Sequence, residues 1–110
     1  YALLTASHLP TQSFGFFLTS QMQGFTAQPG GSQGNLCLDG AIGRYVGAGQ
    51  VQNSGGSGIF ELTLDLAMTP TPTGLVQVAA GETWNFQAWY RDANPGPTSN
   101  FTDAVSVTFQ

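Results

Sequence analysis

Apolar residues in this chain recur at every second position, a period that belongs to β-strands. Phe60, Leu62, Leu64 and Leu66 share one face, with Glu61, Thr63 and Asp65 on the other. The C-terminus repeats the pattern, placing Val105, Val107 and Phe109 inward and Ser106, Thr108 and Gln110 outward. Trp84, Phe86, Ala88 and Tyr90 make a third inward set, against Asn85, Gln87 and Trp89. No window of ordinary helix length is free of Gly, Pro and β-formers. Weaker strands are expected over residues 2–9, 13–20, 35–38, 41–46, 50–53 and 75–79. Between them lie turn-rich clusters at 28–34, 53–58, 69–74, 80–82 and 92–98, where Gly permits and Pro presets the backbone angles that end strands. About seven to nine short strands at such spacing make an antiparallel two-sheet sandwich. The expected fold is therefore all-β, immunoglobulin-like or a related Greek key. Residues 84–90 and 104–110 are expected to pair as the terminal hairpin.

Residues 1–110 fit one domain. Hydrophobic residues make up 41% of the chain, enough for a core and the opposite of a disordered composition. Charge is scarce: six acidic residues, the two arginines Arg44 and Arg91, and no lysine, for a net charge of −4. Two cations give no electrostatic basis for binding a phosphate backbone or an anionic membrane surface. Nucleic acid is set aside as a partner, and no apolar run is long enough for membrane insertion. The chain opens on Tyr1 rather than Met and is read as processed or as a piece of a longer protein.

Catalytic chemistry finds little to work with. Nucleophilic catalysis needs a nucleophile, a base and an orienting group. His8 and Cys37 are the single His and the single Cys, and His8 precedes the turn-like Leu9, Pro10 and Thr11. His8 reads as a strand-end residue and Cys37 as a small buried apolar one. The Gly-rich stretch at 30–34 carries no charge and opens no helix, so it reads as a turn. Carboxylate chemistry would need two of Asp39, Glu61, Asp65, Glu82, Asp92 and Asp103 in one cleft, yet alternation puts Glu61 and Asp65 on a solvated face. No cofactor is expected. Asp92, Asn94, Asn100 and Asp103 offer oxygen ligands of the kind Ca²⁺ prefers, but such residues also favour loops for their local hydrogen bonds. Asn100, Phe101 and Thr102 match the glycosylation sequon.

One aromatic segment can serve as a contact platform. In a strand, Trp89 points away from Trp84 and Phe86. It is then exposed, covered by a loop or buried by a neighbour. An exposed Trp89 could stack on a sugar ring or a protein partner, with Asn85, Gln87 and Arg91 supplying hydrogen bonds.

Four stretches resemble a known module when taken together. They are residues 13–17 (SFGFF), 31–38 (GSQGNLCL), 83–92 (TWNFQAWYRD) and 98–103 (TSNFTD). They are similar to a C-terminal module of secreted, surface-associated proteins from planctomycete-type aquatic bacteria. The module's pattern carries Gly after Leu38, where this chain has Asp39, so no role passes to that position. The resemblance implies an extracellular or cell-surface location and a modular context, and it brings no catalytic residues.

These readings converge on a non-catalytic structural or adhesive module. It would self-assemble into a fibre or surface layer as a homo-oligomer. Sheet edges usually resist pairing through lysine, proline or inward charge. Here residues 1–9 are uncharged and alternating, so Tyr1, Leu3, Thr5 and Leu9 are candidates to donate a strand to a neighbour's sheet. The alternative is a carbohydrate-binding module of a larger secreted protein, with a polysaccharide as partner and Trp89 as its contact.

Overall fold

The computed structural model describes residues 2–93 and 97–110. Along these residues run β1 (Ala2–Ala6), β2 (Phe14–Ser20), β3 (Met22–Ala27), β4 (Asn35–Asp39), β5 (Gly43–Arg44), β6 (Gln52–Asn53), β7 (Phe60–Leu64), β8 (Thr69–Thr71), β9 (Gly74–Val76), β10 (Thr83–Ala93), β11 (Pro97–Phe101) and β12 (Val105–Thr108). Single 3₁₀ turns occupy Pro29–Gly31 and Gly55–Ser57, both inside expected turn clusters. Among the described residues there is no α-helix, and every strand pairing is antiparallel.

The long strand β10 organises the chain. It pairs on one side with β2 and on the other with β12 along its first half and β11 along its second. β2 continues the sheet to β5 and β6. Facing it is the β1–β7 pair, and two short hairpins, β3–β4 and β8–β9, complete the strand set.

The inner face of the central sheet holds the core. Phe17, Trp84, Phe86 and Ala88 meet Ala6, Phe60 and Leu64 from the opposite pair, with Leu9 and Tyr45 closing the ends. Phe60 is fully buried, and its ring meets Phe17 edge-on at 6.3 Å between centroids. Phe86 meets Phe109 in the same way at 6.4 Å. Edge-to-face contact aligns the positive ring rim with the negative face of its partner. Burying a ring of this size stabilises by about 3 kcal/mol. At the sheet's margin, Gly43 lies so close to the Pro70 carbonyl that a Cβ there would collide with it.

The outer face is covered as well, by the β3–β4 hairpin. Gln87 donates to the carbonyls of Asn35 (2.8 Å) and Thr102 (2.7 Å) and accepts from the Cys37 amide (3.0 Å). Asn85 donates to the Ser20 carbonyl (3.2 Å), and Gln23 from the hairpin reaches both Asn85 and Ser106. Side-chain amides satisfy backbone groups here that water would otherwise have to reach.

The expected terminal hairpin is present, with Thr83–Phe86 registered against Val105–Thr108. Two expected turns are partly strand. Residues 69–71 form β8, and β11 begins at Pro97 inside the cluster at 92–98. β3 was not expected, because its side chains are mostly exposed and do not alternate in hydrophobicity.

Candidate functional site

Strand register brings three aromatic residues into one row. Trp89 sits opposite Phe16 on one neighbouring strand and opposite Phe101 on the other. Alternation puts all three on the outer face, against the end of the β3–β4 hairpin. The Phe16 and Trp89 ring centroids are 5.2 Å apart, with their planes tilted by 33°. All three residues are half-buried, so each is packed along part of its ring and open along the rest.

Around this row lies a cleft of about 510 Å³, walled by Leu18, Leu36, Ile42, Pro29 and Gly30 and bordered by Arg44. A second cleft of about 330 Å³ continues past Trp89 toward Arg91, Thr98 and Ser99. Trp89 and Gly30 line both, so the two clefts adjoin at the indole. The Arg91 guanidinium lies 6.0 Å from the Trp89 ring centroid, within cation–π range. Arg44 and Arg91 are the chain's entire cationic complement, and both side chains are exposed. No carboxylate is among the described residues lining either cleft.

The expected contact residues divide. Trp89 and Arg91 reach the surface, Arg91 fully and Trp89 in part. Asn85 and Gln87 do not: each is 2% exposed and bonded beneath the hairpin. Their polar side chains suit a surface role in a two-layer sandwich, and the third layer removes it. Phe16, Phe101 and Arg44 join the row, although none is among the contact residues expected from the sequence. Only the register of β2, β10 and β11 assembles them, and one-dimensional spacing carries no such signal.

The residues considered for strand donation also divide. Leu3 and Thr5 lie on the exposed face of β1, and Leu4 packs against the core. β1 pairs with β7 of its own chain from Ala2↔Leu64 to Ala6↔Phe60. Leu9 lies beyond the strand, buried in the core, with its amide bonded to the Gly58 carbonyl (3.0 Å). Tyr1 lies outside the described residues. Beside β1 is a cleft of about 420 Å³ reaching across to Phe86, Ala88, Tyr90 and Val105.

The remaining chemical candidates are dispersed. His8 is exposed with φ of 61° and lines the cleft beside β1, whereas Cys37 is half-buried in the hairpin on the other side of the central sheet. Glu61 and Asp65 are exposed, as alternation requires. Glu82 accepts from the Ala79 amide (2.7 Å) and also from Trp84 and Gln21, and these bonds, the Ala79 one foremost, hold its carboxyl below the usual range. Burial, and then the nearby Asp92 charge, push the Tyr90 phenol up. Asn100 donates to Asp92 at 3.5 Å, Asp103 is exposed, and Asn94 lies outside the described residues. Among the described residues no group of three or more His, Cys, Asp or Glu could hold a metal ion. None of their helices is long and apolar enough to cross a membrane.

No protein-family model matches this chain, and neither the curated proteins nor the solved structures contain a match to it.

Proposed function

We propose that this chain is a non-catalytic extracellular structural or adhesive module that self-associates by strand addition at β1. The carrying observation is an open edge. β1 is hydrogen-bonded to β7 on one side and to no other strand among the described residues. Its stretch Ala2–Ala6 bears no charge, and the adjoining cleft leads to core residues Phe86 and Ala88. Across that cleft Val105 is 48% exposed. An arriving strand would pair its main chain with β1 and cover Val105.

An immunoglobulin-like reading of the topology gives the edge a meaning. β1 and β7 then correspond to the second and fifth strands of such a sandwich, and β2, β10 and β12 to its third, sixth and seventh. In that plan the first strand lies beside β1, where this chain offers a cleft. A neighbouring copy supplying an extended segment would complete the sheet, as in other cases of strand complementation.

The test is the mass of the chain in solution across a wide concentration range, with Thr5→Lys as the edge-blocking variant. Thr5 is exposed, so a lysine there leaves the core intact while guarding the edge. Concentration-dependent assembly that Thr5→Lys abolishes is expected. A chain that stays monomeric throughout, or assembly indifferent to the lysine, would sink the proposal.

The second reading is a carbohydrate-binding module on the opposite side of the central sheet. It draws on the half-exposed Trp89 and its ring contact with Phe16. Retention of the chain on an insoluble polysaccharide, lost in Trp89→Ala, would favour it.

A further inference from the structure

We propose that the cleft over Phe16, Trp89 and Phe101 binds a polysaccharide whose sugars carry carboxylates. This deepens the carbohydrate reading above and rests on it. Neighbouring strands lie about 4.8 Å apart, so the three rings span roughly 10 Å across β2, β10 and β11. That is the length of a disaccharide. Pyranose rings present C–H faces that stack on aromatic rings, and the run of two clefts past Trp89 lets a polymer lie across the row.

Charge selects among sugars. The chain as a whole carries −4, a net charge that opposes binding of an acidic polymer. Its two cations stand at these adjoining clefts, Arg44 at one and Arg91 at the other. A guanidinium matches a carboxylate with two parallel N–H···O bonds, a fit that a neutral hydroxyl does not offer. The spread of the two arginines across the two clefts suits carboxylates that repeat along a chain.

An acidic peptide fits the floor less well. A peptide recognised by strand addition needs an open sheet edge. Here β2 and β10 are paired on both sides, and on the end strand β11 the Ser99 carbonyl is taken by the Gln33 amide and the Ser32 hydroxyl, so the floor offers ring faces and little free main chain.

Affinity electrophoresis through polygalacturonate and through its methyl ester compares one sugar backbone with and without charge. The chain should be retarded by the acid form, with an affinity that falls as salt rises. Binding to the ester should be about tenfold weaker, and Arg44→Gln and Arg91→Gln should each weaken binding to the acid by about fivefold. Trp89→Ala should weaken it by about thirtyfold. The arginines are exposed, so their variants and the ester comparison decide the matter even where Trp89→Ala fails to fold. Equal binding to acid and ester, with silent arginine variants, would overturn the acidic specificity and leave the neutral-carbohydrate reading standing. Equal retention by polyglutamate would also overturn it, as would binding confined to a sulfated galactan. Absence of binding to these polymers and to cellulose and chitin would remove both readings.

Discussion

The two faces of β10 carry side chains of opposite chemistry, yet both are buried along the strand's first half. Trp84, Phe86 and Ala88 face inward at 3%, 2% and 0% exposure, and Asn85 and Gln87 face outward at 2% each. The inner face is held by ring packing and loss of water contact. The outer face is held by amides that bond the backbone of a covering hairpin. Burial of polar side chains is tolerated only where their bonds are replaced, and a lysine or glutamate at these positions would have far more to replace. Asparagine and glutamine can close a layer that charged residues could not. At Asn85 and Gln87 the absence of charge is therefore a requirement of the third layer.

The inner face should give the largest effect. Phe60→Ala removes a fully buried ring in contact with Phe17 and should cost about 4 kcal/mol. Small domains hold only about 5–15 kcal/mol in total, so this variant should be close to unfolding at room temperature. Phe25→Ala is the matched control on the outer layer, because that ring is 69% exposed and its removal should change stability by less than about 0.5 kcal/mol. Urea denaturation of both measures the contrast. Similar losses for the two would mean that the core does not lie between β1–β7 and the central sheet.

The outer face should give an intermediate effect through hydrogen bonds alone. Gln87→Leu keeps the side chain's approximate size but strands the Asn35 and Thr102 carbonyls and the Cys37 amide. Leaving these part-buried groups without their amide partner should cost about 1–2 kcal/mol. Hydrogen exchange at the Cys37 amide sharpens the result, because the loss should be concentrated in the β3–β4 hairpin. A Gln87→Leu chain as stable as the parent would show that water reaches this layer.

The inner face was the legible one. Phe60 to Leu66 and Trp84 to Tyr90 alternate cleanly because one side of each strand meets a dry core, and the sequence records that asymmetry directly. Asn85 and Gln87 read as solvated for the same reason, since an outward polar residue looks alike under water and under a hairpin. β3 has no periodic signature because its exposed Met22, Phe25 and Thr26 meet little on either side. β11 was hidden by the Pro and Gly around it, which mark a turn whether the flanking chain is coil or strand. Trp89 and Arg91 could be proposed as contacts from alternation alone. Phe16, Phe101 and Arg44 could not, because each reaches the site through cross-strand register set by distant parts of the chain.

Alkaline titration separates the faces by a smaller and more gradual effect. Burial in the inner core pushes the Tyr45 phenol up to about 12. In the unfolded chain a tyrosine ionises near pH 10. Between those values the unfolded chain binds fewer protons than the folded one, so unfolding becomes progressively easier as pH rises. The stability tied to Tyr45 is thus complete below about pH 10 and is lost as pH climbs toward 12. The raised Tyr90 adds to the loss with the same sign. Asn85 and Gln87 hold the outer layer without a titrating group of their own. Urea midpoints followed from pH 8 to 12 should fall for the parent chain and fall less steeply for Tyr45→Phe. An alkaline slope unchanged by Tyr45→Phe would place the sensitive group outside the core, and the two faces would then differ in packing but not in their response to charge.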